Sequence, residues 1–306
     1  MRGLSSDTKE LIEYAATLLA ADSPQTLRQL HYAIFSRREI AYENDQAHYK
    51  RLSRATTLAR RRYREFELAE LEPDHLCIQP GLMVDETRAP ETISVWRDAG
   101  AYAETVKRAY RRDNWQDQPY HVEVWSEKAT ILGAIRPIAD EWGLTLRVSH
   151  GFGSTGMEQQ IGEYFAGLRQ AIVVFYLGDH DPSGHVIEQD LFRRVKTASG
   201  VDFDMSRLAI GANDIAQFNL PPQRIKLTDS RSTGFKLKYG DDAATVELDA
   251  LPASELRRRI EGAVKYLIDF ERWNRQVSVQ AVELACIVDF AERMKGLPQL
   301  NPEMRP

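Results

Sequence analysis

The stretch VVFYLGDHDPSG, residues 173 to 184, carries the clearest fold signal in this chain. Its unbroken run of apolar and aromatic residues is typical of a central strand in a parallel sheet that is covered on both faces. The run ends at Gly178, and Asp179 and Asp181 follow with one histidine between them. Two like charges at a strand end form either a surface turn or a pair of carboxylates that binds a divalent cation.

Strands alternate with helices around this stretch. HVEVW at 121 to 125, LTLRVS at 144 to 149 and AIVVFYL at 171 to 177 have strand patterns, and residues 130 to 142 and 157 to 168 have helical ones. This βαβαβ order predicts an open α/β sheet that is mainly parallel and Rossmann-like. Such sheets carry their functional groups in the crevice beyond the carboxyl ends of the strands.

Three acids fall at that edge of the predicted sheet. Glu127 follows the first strand within two residues, and Asp179 and Asp181 follow the third. Three carboxylates that converge repel one another, and a hard cation with oxygen ligands relieves that repulsion. We therefore predict a Mg²⁺ site formed by Glu127, Asp179 and Asp181, a centre suited to phosphoryl transfer. The Gly-rich loop at 151 to 156 is a plausible place for a phosphodiester backbone to approach.

Two neighbours of these acids are expected to stay outside the metal site. Glu123 lies within the first strand and is expected to face solvent or a helix. His180 lies between the two aspartates and is expected to point away from them, because successive side chains of an extended segment alternate in direction.

The first 65 residues favour three helices: one from Ser6 or Asp7 to about Ala21, one capped by Ser23 and running to Ile34, and one from Asn44 or Asp45. The third contains KRLSRATTLARRRYR, residues 50 to 64, with seven basic residues and no acidic one. Three short helices with a basic third helix are typical of a helix-turn-helix or winged-helix domain that binds DNA. The expected DNA contacts are Lys50, Arg51, Arg54, Arg61 and Arg62, while Leu52, Ala55 and Leu58 pack inward. A solvated helix face is the alternative.

Residues 66 to 118 are expected to connect two domains and to include a helix from about Ile93 to Arg111. The predicted division gives a winged-helix domain with its connecting region at 1 to 115, and an α/β domain with C-terminal helices at 116 to 306. Basic charge is concentrated in the first domain, although the whole chain has a net charge of −5.

Composition sets further limits on the class of protein. The chain has 306 residues, of which 43% are hydrophobic and 28% charged, as in ordinary globular proteins. The segment Met1 to Ala21 lacks the uninterrupted apolar run of a signal peptide, and no later window resembles a membrane span. We expect a cytoplasmic protein without a membrane partner. Cys77 and Cys286 indicate neither a disulfide framework nor a zinc site.

WSEK at 125 to 128, followed some fifty residues later by LGDHDPSG, resembles the Toprim signature. The DPSG form is similar to that of the A subunit of topoisomerase VI and its relative, the meiotic double-strand-break transesterase. Those proteins join a winged-helix domain to a Toprim domain. Their nucleophilic tyrosine follows an arginine by four residues in a pattern like R-D-I-Y-Y, and TLRQLHY matches it at Arg28 and Tyr32, with His31 in place of the first tyrosine. VELDALP at 246 to 252 is also similar to a segment near the end of their Toprim domain.

The resemblance implies Mg²⁺-dependent cleavage of double-stranded DNA, with Tyr32 as nucleophile and Arg28 and Glu127 as further catalytic residues. It also implies a homodimer in which Tyr32 of one protomer works with the metal site of the other to make a double-strand break. Topoisomerase turnover would then require a separate ATPase subunit. Lys128 and Arg231 are candidate phosphate contacts.

Two alternatives remain open at this point. One is a Toprim nuclease that hydrolyses DNA with a metal-activated water, in which case Tyr32 is a core residue packed with its apolar neighbours on the same helix. The other is a DNA-binding regulator or defence-system component whose Toprim fold is catalytically idle.

Overall fold

The computed structural model describes residues 4–84, 93–149, 155–225 and 231–295. The chain forms two compact units, each built from two separate segments. The first consists of residues 1–89 and 121–266, and the second of residues 90–120 and 267–306. This division concerns packing, so the functional boundary between residues 115 and 116 stays a prediction.

The first unit begins with three helices, α1 (Ser6–Ala21), α2 (Leu27–Arg37) and α3 (Gln46–Leu68). Ser5 caps α1 and Asp45 caps α3 through their side chains. The apolar residues of α1 are buried and join residues of the other two helices in one core. That core includes Leu11, Ile12, Ala15, Leu18, Leu19, Leu30, Ile34, Leu52, Ala55 and Ala59.

The second helix begins later than the sequence predicted, so the assignment of Ser23 as its cap is wrong. Gln25 pairs with Met83 in an isolated parallel bridge, and this extended conformation excludes a helix start at residue 24. Thr26 caps α2 instead, in a reciprocal capping box with Gln29. Three helices are thus present as expected, and the winged-helix assignment stays a prediction.

A four-stranded parallel sheet follows, with β1 (Tyr120–Ser126), β2 (Thr145–Val148), β3 (Ala171–Leu177) and β4 (Asp204–Ala209) in the order β2-β1-β3-β4. The connecting helices are α5 (Leu132–Trp142), α6 (Thr155–Ala166) and α7 (Pro182–Ser199). This confirms the predicted α/β class, its mainly parallel sheet and the inner position of β3.

Burial explains the apolar sequence of β3. Each of its residues from Ile172 to Leu177 is buried, and the surrounding core includes Trp125, Ile161, Phe165, Leu191, Val195 and Phe203. Helices α6 and α7 approach closely at Gly162, where a Cβ atom would lie 2.8 Å from the backbone carbonyl carbon of Ala198. A glycine is therefore needed at this crossing.

The rest of the first unit returns to the edge where the strands end. It contains α8 (Ala212–Gln217), β5 (Gln223–Arg224), α9 (Ser232–Tyr239), β6 (Ala244–Thr245), a 3₁₀ turn (Leu248–Ala250) and α10 (Ala253–Leu267). β5 and β6 pair antiparallel. Directly after β6, Val246 forms an antiparallel bridge with His180. This bridge brings the segment VELDALP beside the carboxyl end of β3.

The second unit pairs α4 (Ala99–Ala109) with α11 (Phe270–Lys295). Arg112 bonds Gln276 and Glu283 of α11, and Tyr110 also donates to Glu283. The helix predicted from Ile93 begins only at Ala99, because the Asp98 side chain accepts the Ala101 N–H at 2.8 Å and sets the helix start. No helix within the described ranges is long and apolar enough to cross a membrane.

Candidate functional site

The carboxyl ends of β1 and β3 bring Glu127 and Asp179 together. The Glu127 N–H donates to the Leu177 carbonyl at 2.9 Å, which continues the contact between the two strands. The Glu127 side chain turns toward the neighbouring loop, where its Oε2 accepts the N–H of Asp179 at 3.1 Å. Asp181 caps α7, since its Oδ1 accepts the Gly184 N–H at 2.6 Å. All three predicted acids therefore lie at one edge of the sheet.

The two glycines of LGDHDPSG border the Glu127 carboxylate. A Cβ atom at Gly178 would lie 3.0 Å from Glu127 Oε2, and one at Gly184 would lie 3.2 Å from the same oxygen. At Gly184 the Cβ would also lie 2.5 Å from the Asp179 carbonyl oxygen. The glycines leave the space that the Glu127 carboxylate occupies.

The electrostatics of this edge disfavour full ionisation of the acids. Burial, together with the negative charges of Asp179 and Asp181, raises the pKa of Glu127 to about 7. Burial also raises the pKa of Asp179, although the ammonium of Lys128 opposes this. A cation that entered between these carboxylates would lower both pKa values.

Lys128 joins the acidic edge to the VELDALP segment. Its Nζ lies 2.9 Å from Asp179 Oδ1, 3.0 Å from Asp249 Oδ2 and 3.1 Å from Glu247 Oε2. Burial disfavours its charged form, yet these three acids hold the pKa of Lys128 above its ordinary value. Lys128 is thus paired within the protein at the border of the acidic edge, and the phosphate contact predicted for it stays a prediction.

Arg28 and Tyr32 of α2 lie at the other end of the same ion-pair network. Arg28 pairs with Glu247, and its guanidinium carbon lies 5.9 Å from the centre of the Tyr32 ring. Tyr32 is 3% exposed. Burial and the charge of Glu247 raise the pKa of the Tyr32 phenol, and the nearby Arg28 lowers it only in part. In this conformation Tyr32 is therefore a buried, protonated phenol.

A cleft of about 350 Å³ opens over this network. Arg28, Lys128, Asp179, Asp181 and Glu247 all line it, although the sequence separates them by up to about 220 residues. Its other lining residues are Pro182, Ser183, Gln223, Arg224, Ile225, Thr245 and Val246. The cleft thus exposes both cations and carboxylates to one bound molecule.

The acids at this edge have oxygen atoms to offer a cation. Within the described ranges, the hydrogen bonds and ion pairs of the three predicted ligands fall on one oxygen of each: Glu127 Oε2, Asp179 Oδ1 and Asp181 Oδ1. The second oxygens suit Mg²⁺, which takes one or two protein carboxylates and keeps several waters. Among the same residues, no group of three or more His, Cys, Asp or Glu side chains has the arrangement of a metal site. The Mg²⁺ site stays a prediction.

The basic residues of α3 divide into two sets. Lys50, Arg54 and Arg61 are exposed, and the described residues offer them no hydrogen-bond or ion-pair partner. Arg51, by contrast, donates to the Asp7 carbonyl at 2.8 Å, and Arg62 is paired with an aspartate, Asp74. The i, i+4 and i+11 spacing of the first set places those residues on one helix face.

Two inward packing expectations for this helix are confirmed, and one is wrong. Leu52 and Ala55 are buried, while Leu58 is 41% exposed and lines an open groove of about 540 Å³ with Lys50 and Arg54. An apolar side chain flanked by exposed cations gives this groove a surface that differs from an ordinary solvated helix face.

Glu123 corrects a further expectation. It is fully buried, so the solvent-facing alternative is wrong. Its neighbours on the same face of β1, His121 and Trp125, contact Phe165 of α6, in agreement with the helix-facing alternative. Its carboxylate accepts hydrogen bonds from Arg147 Nε at 2.6 Å and from Arg147 Nη2 at 2.9 Å. It also accepts one from the Trp125 indole at 2.6 Å, and its Oε1 lies 3.1 Å from His121 Nε2. These partners satisfy the carboxylate, so Glu123 stabilises the junction of β1 and β2.

Three further residues singled out from the sequence have defined contacts, and the phosphate contact predicted for Arg231 stays a prediction. Both ring nitrogens of His31 are engaged, by Tyr42 at 2.6 Å and Asn44 at 3.0 Å. His180 is buried against Phe235 and lies 3.2 Å from a nitrogen of His185. Arg231 donates to Ser183 Oγ at 2.9 Å. Residues 151 to 154 of the Gly-rich loop lie outside the described ranges.

Glu247 and Asp249 are the members of the cleft network that sequence reasoning did not name. Both belong to VELDALP, where the two acids are one residue apart, as in the DHD of the third strand. The bridge between Val246 and His180 places them at the sheet edge. The repeated acid-x-acid spacing after a short strand was the available signal.

Comparison with known proteins assigns no family. No protein-family model matches the chain, and no curated protein matches it. Function must therefore be argued from the site itself.

Proposed function

We propose that this chain is a winged-helix and Toprim protein that cleaves double-stranded DNA in a Mg²⁺-dependent transesterification, as the A subunit of topoisomerase VI does. One observation carries the proposal. A single cleft collects Lys128, Asp179 and Asp181 from the strand ends and Arg28 from the helix that contains Tyr32. A phosphodiester bound there would meet a carboxylate edge and three cations, since Arg224 also lines the cleft.

The second oxygens of Glu127, Asp179 and Asp181 would hold Mg²⁺, which supplies charge neutralisation to the reacting phosphate. The cations of the chain add to this effect. Lys128 and Arg28 face the cleft, so each can exchange a carboxylate partner for a phosphate oxygen. The exposed cations of α3 would hold the flanking duplex.

The proposed covalent step conserves all atoms. Tyr32 Oη forms a bond to phosphorus, and the bond from phosphorus to one deoxyribose oxygen breaks. The phenol loses its proton and the leaving oxygen gains one, so no water is consumed. Glu127 would serve this step as a Mg²⁺ ligand, because a bound cation would lower its pKa from about 7 and leave the carboxylate ionised.

The burial of Tyr32 favours a second candidate, hydrolysis by an activated water at the same carboxylates. A phenol that is 3% exposed and has a raised pKa is a poor nucleophile until α2 moves. Water needs no such movement. In this case Tyr32 would be a core residue, and its Arg28 neighbour would only orient Glu247.

Denaturant trapping on supercoiled plasmid with Mg²⁺ tests the two candidates. Transesterification predicts nicked or linear DNA with protein attached, and peptide mapping should find the adduct on Tyr32. Tyr32→Phe should abolish both cleavage and adduct, while Tyr49→Phe, which removes a phenol from α3, should abolish neither. Asp179→Ala tests dependence on the carboxylate edge.

The other outcomes discriminate among the alternatives. Cleavage that leaves no protein-DNA adduct and that persists in the Tyr32→Phe variant would establish hydrolysis. If the wild-type protein neither nicks nor linearises the plasmid, both catalytic candidates fail. Duplex binding that persists in that protein would then indicate a DNA-binding regulator.

A further inference from the structure

The outward side of α11 carries an apolar stripe that the described residues of the second unit leave exposed. Trp273, Gln276 and Ala291 are the buried residues of this helix. On the other side, Val279, Val282 and Phe290 are 37%, 66% and 46% exposed, and Cys286 is exposed between them. Their spacing of three, four and four residues keeps them in one row. We call this row, with its flanking charges, the outer face of α11.

From residue 277 to residue 286, just under three helical turns, none of the exposed residues is charged; Glu283 in this span is half-buried and paired with Arg112. Exposed residues from 277 to 286 are Val277, Ser278, Val279, Ala281, Val282, Ala285 and Cys286. An exposed helix surface normally carries charged or polar residues, and a contiguous apolar patch marks an interaction surface. Neither a nucleic acid, which requires cations, nor the solvent accounts for this composition.

Charges return at both ends of the outer face with a regular pattern. Glu271 and Arg275 form an ion pair at the N-terminal end, and Asp289 and Arg293 form one at the C-terminal end. Arg275 lies seven residues before Val282 and Asp289 lies seven after it; Glu271 lies eleven before and Arg293 eleven after. The two ends thus have opposite signs at equal distances from Val282.

This symmetry fits one partner, a second copy of the same helix in antiparallel orientation. A two-fold axis at Val282 would place Arg275 against Asp289 of the other copy and Glu271 against Arg293 of the other copy. The symmetry repeats each contact, giving four ion pairs around an apolar centre. A parallel pair would instead place Arg275 against Arg275 and Asp289 against Asp289, which is repulsive.

We propose that the outer face of α11 is a homodimer interface, formed by antiparallel pairing of two copies about a two-fold axis at Val282. The inference rests on α11 alone and does not depend on the proposed cleavage reaction. The resemblance implied a homodimer but gave no surface for it. The outer face supplies a specific surface, orientation and register.

Cysteine cross-linking tests the register. Helices that pack 8 to 10 Å apart leave facing Cα atoms roughly 4 to 5 Å apart, within disulfide range. In a Cys77→Ser, Cys286→Ser background, Val282→Cys should form a disulfide-linked dimer under mild oxidation. Ala281→Cys, adjacent and exposed but about 100° around the helix, should not. Equal cross-linking of the two variants would overturn the proposed face.

Sedimentation equilibrium of the full-length protein tests the energetics. Val282→Glu should weaken the dimer at least about tenfold, because it places two carboxylates at the axis, while Ala281→Glu should have little effect. Arg275→Glu should weaken the dimer and Asp289→Arg added to it should restore association. Circular dichroism confirms that each variant folds.

A wild-type protein that stays monomeric at hundreds of micromolar would overturn the proposal, as would a dimer that Val282→Glu leaves intact. DNA cleavage is not a readout in either experiment. Failure here would therefore leave the proposed function standing, and failure of the cleavage assay would leave the interface standing.

Discussion

Alanine at Gly184 tests the packing that positions the carboxylate edge. The added Cβ would lie 2.5 Å from the Asp179 carbonyl oxygen, whereas ordinary van der Waals contact begins at 3.4 Å, so about 0.9 Å must be recovered by movement. That carbonyl is also held by Arg207 Nη1 at 3.0 Å. The same Cβ would lie 3.2 Å from Glu127 Oε2, so the movement would involve two of the predicted metal ligands.

The expected cost follows from two opposing effects. Overpacking of this kind costs about 1 to 3 kcal/mol, while replacing a helical glycine by alanine returns up to about 1 kcal/mol. The net cost lies between 0 and about 3 kcal/mol, so Gly184→Ala should lower the free energy of unfolding, by about 1 to 2 kcal/mol at the middle of that range. In the first unit, which has 235 residues, this corresponds to a fall in Tm of roughly 2 to 8 °C.

Thermal unfolding followed by circular dichroism measures this effect, and Gly262→Ala provides a matched control. Gly262 lies within α10, and a Cβ added there meets no atom within 4 Å. That variant should gain up to about 1 kcal/mol, since it has the helix effect without the clash. If Gly184→Ala raised the Tm as Gly262→Ala does, the close approach to Asp179 would be refuted.

Three further measurements test the charges. In anisotropy titrations with duplex DNA, Arg54→Ala should reduce the slope of log affinity against log salt by about 0.9. Arg62→Ala should leave that slope unchanged, because Arg62 is already paired with Asp74. Glu123→Ala should lower the free energy of unfolding, measured in urea at pH 7, by roughly 3 kcal/mol, because it leaves the Arg147 guanidinium without its carboxylate partner. Burial opposes ionisation of Glu123, but its hydrogen bonds hold the pKa of Glu123 below its unfolded value. The difference in unfolding free energy between wild type and Glu123→Ala should therefore be complete above the unfolded pKa of about 4.3. It should shrink as the pH falls through the lower pKa of the folded protein. Lys128→Met should lower the Tm without metal and increase the rise in Tm that Mg²⁺ produces, since it removes a competing cation; equal Mg²⁺ effects in both proteins would contradict this.

The strand ends were accessible from sequence because each depends on local pattern. The apolar run of β3 and the alternation of strands with helices fixed the sheet edge, and Glu127, Asp179 and Asp181 followed from their distance to the strand ends. Their approach is direct, through the hydrogen bond between Glu127 and Asp179. Parallel strands place their carboxyl ends together whatever the intervening helices contain.

The charge partners were not accessible in this way. Lys128 contacts Asp249, and Arg28 contacts Glu247, across separations of more than 100 and 200 residues. The local pattern of residues along the sequence does not indicate ion pairs between such distant positions. The solvent-facing alternative for Glu123 failed for a related reason: a carboxylate in a strand usually faces solvent, and its burial depends on partners that include Arg147 on β2.

The order of segments in the second unit has a consequence for synthesis of the chain. Helix α4 ends at Ala109, and α11, against which it packs, begins at Phe270. At 5 to 20 residues per second, a ribosome needs roughly 8 to 30 s to make the intervening 160 residues. The whole α/β segment from 121 to 266 is made during that interval. Until α11 is made, the face of α4 that packs against it stays uncovered. Chains that end before residue 270 should therefore expose α4 to chaperones and proteases, and chains that extend through residue 295 and are released from the ribosome should protect it.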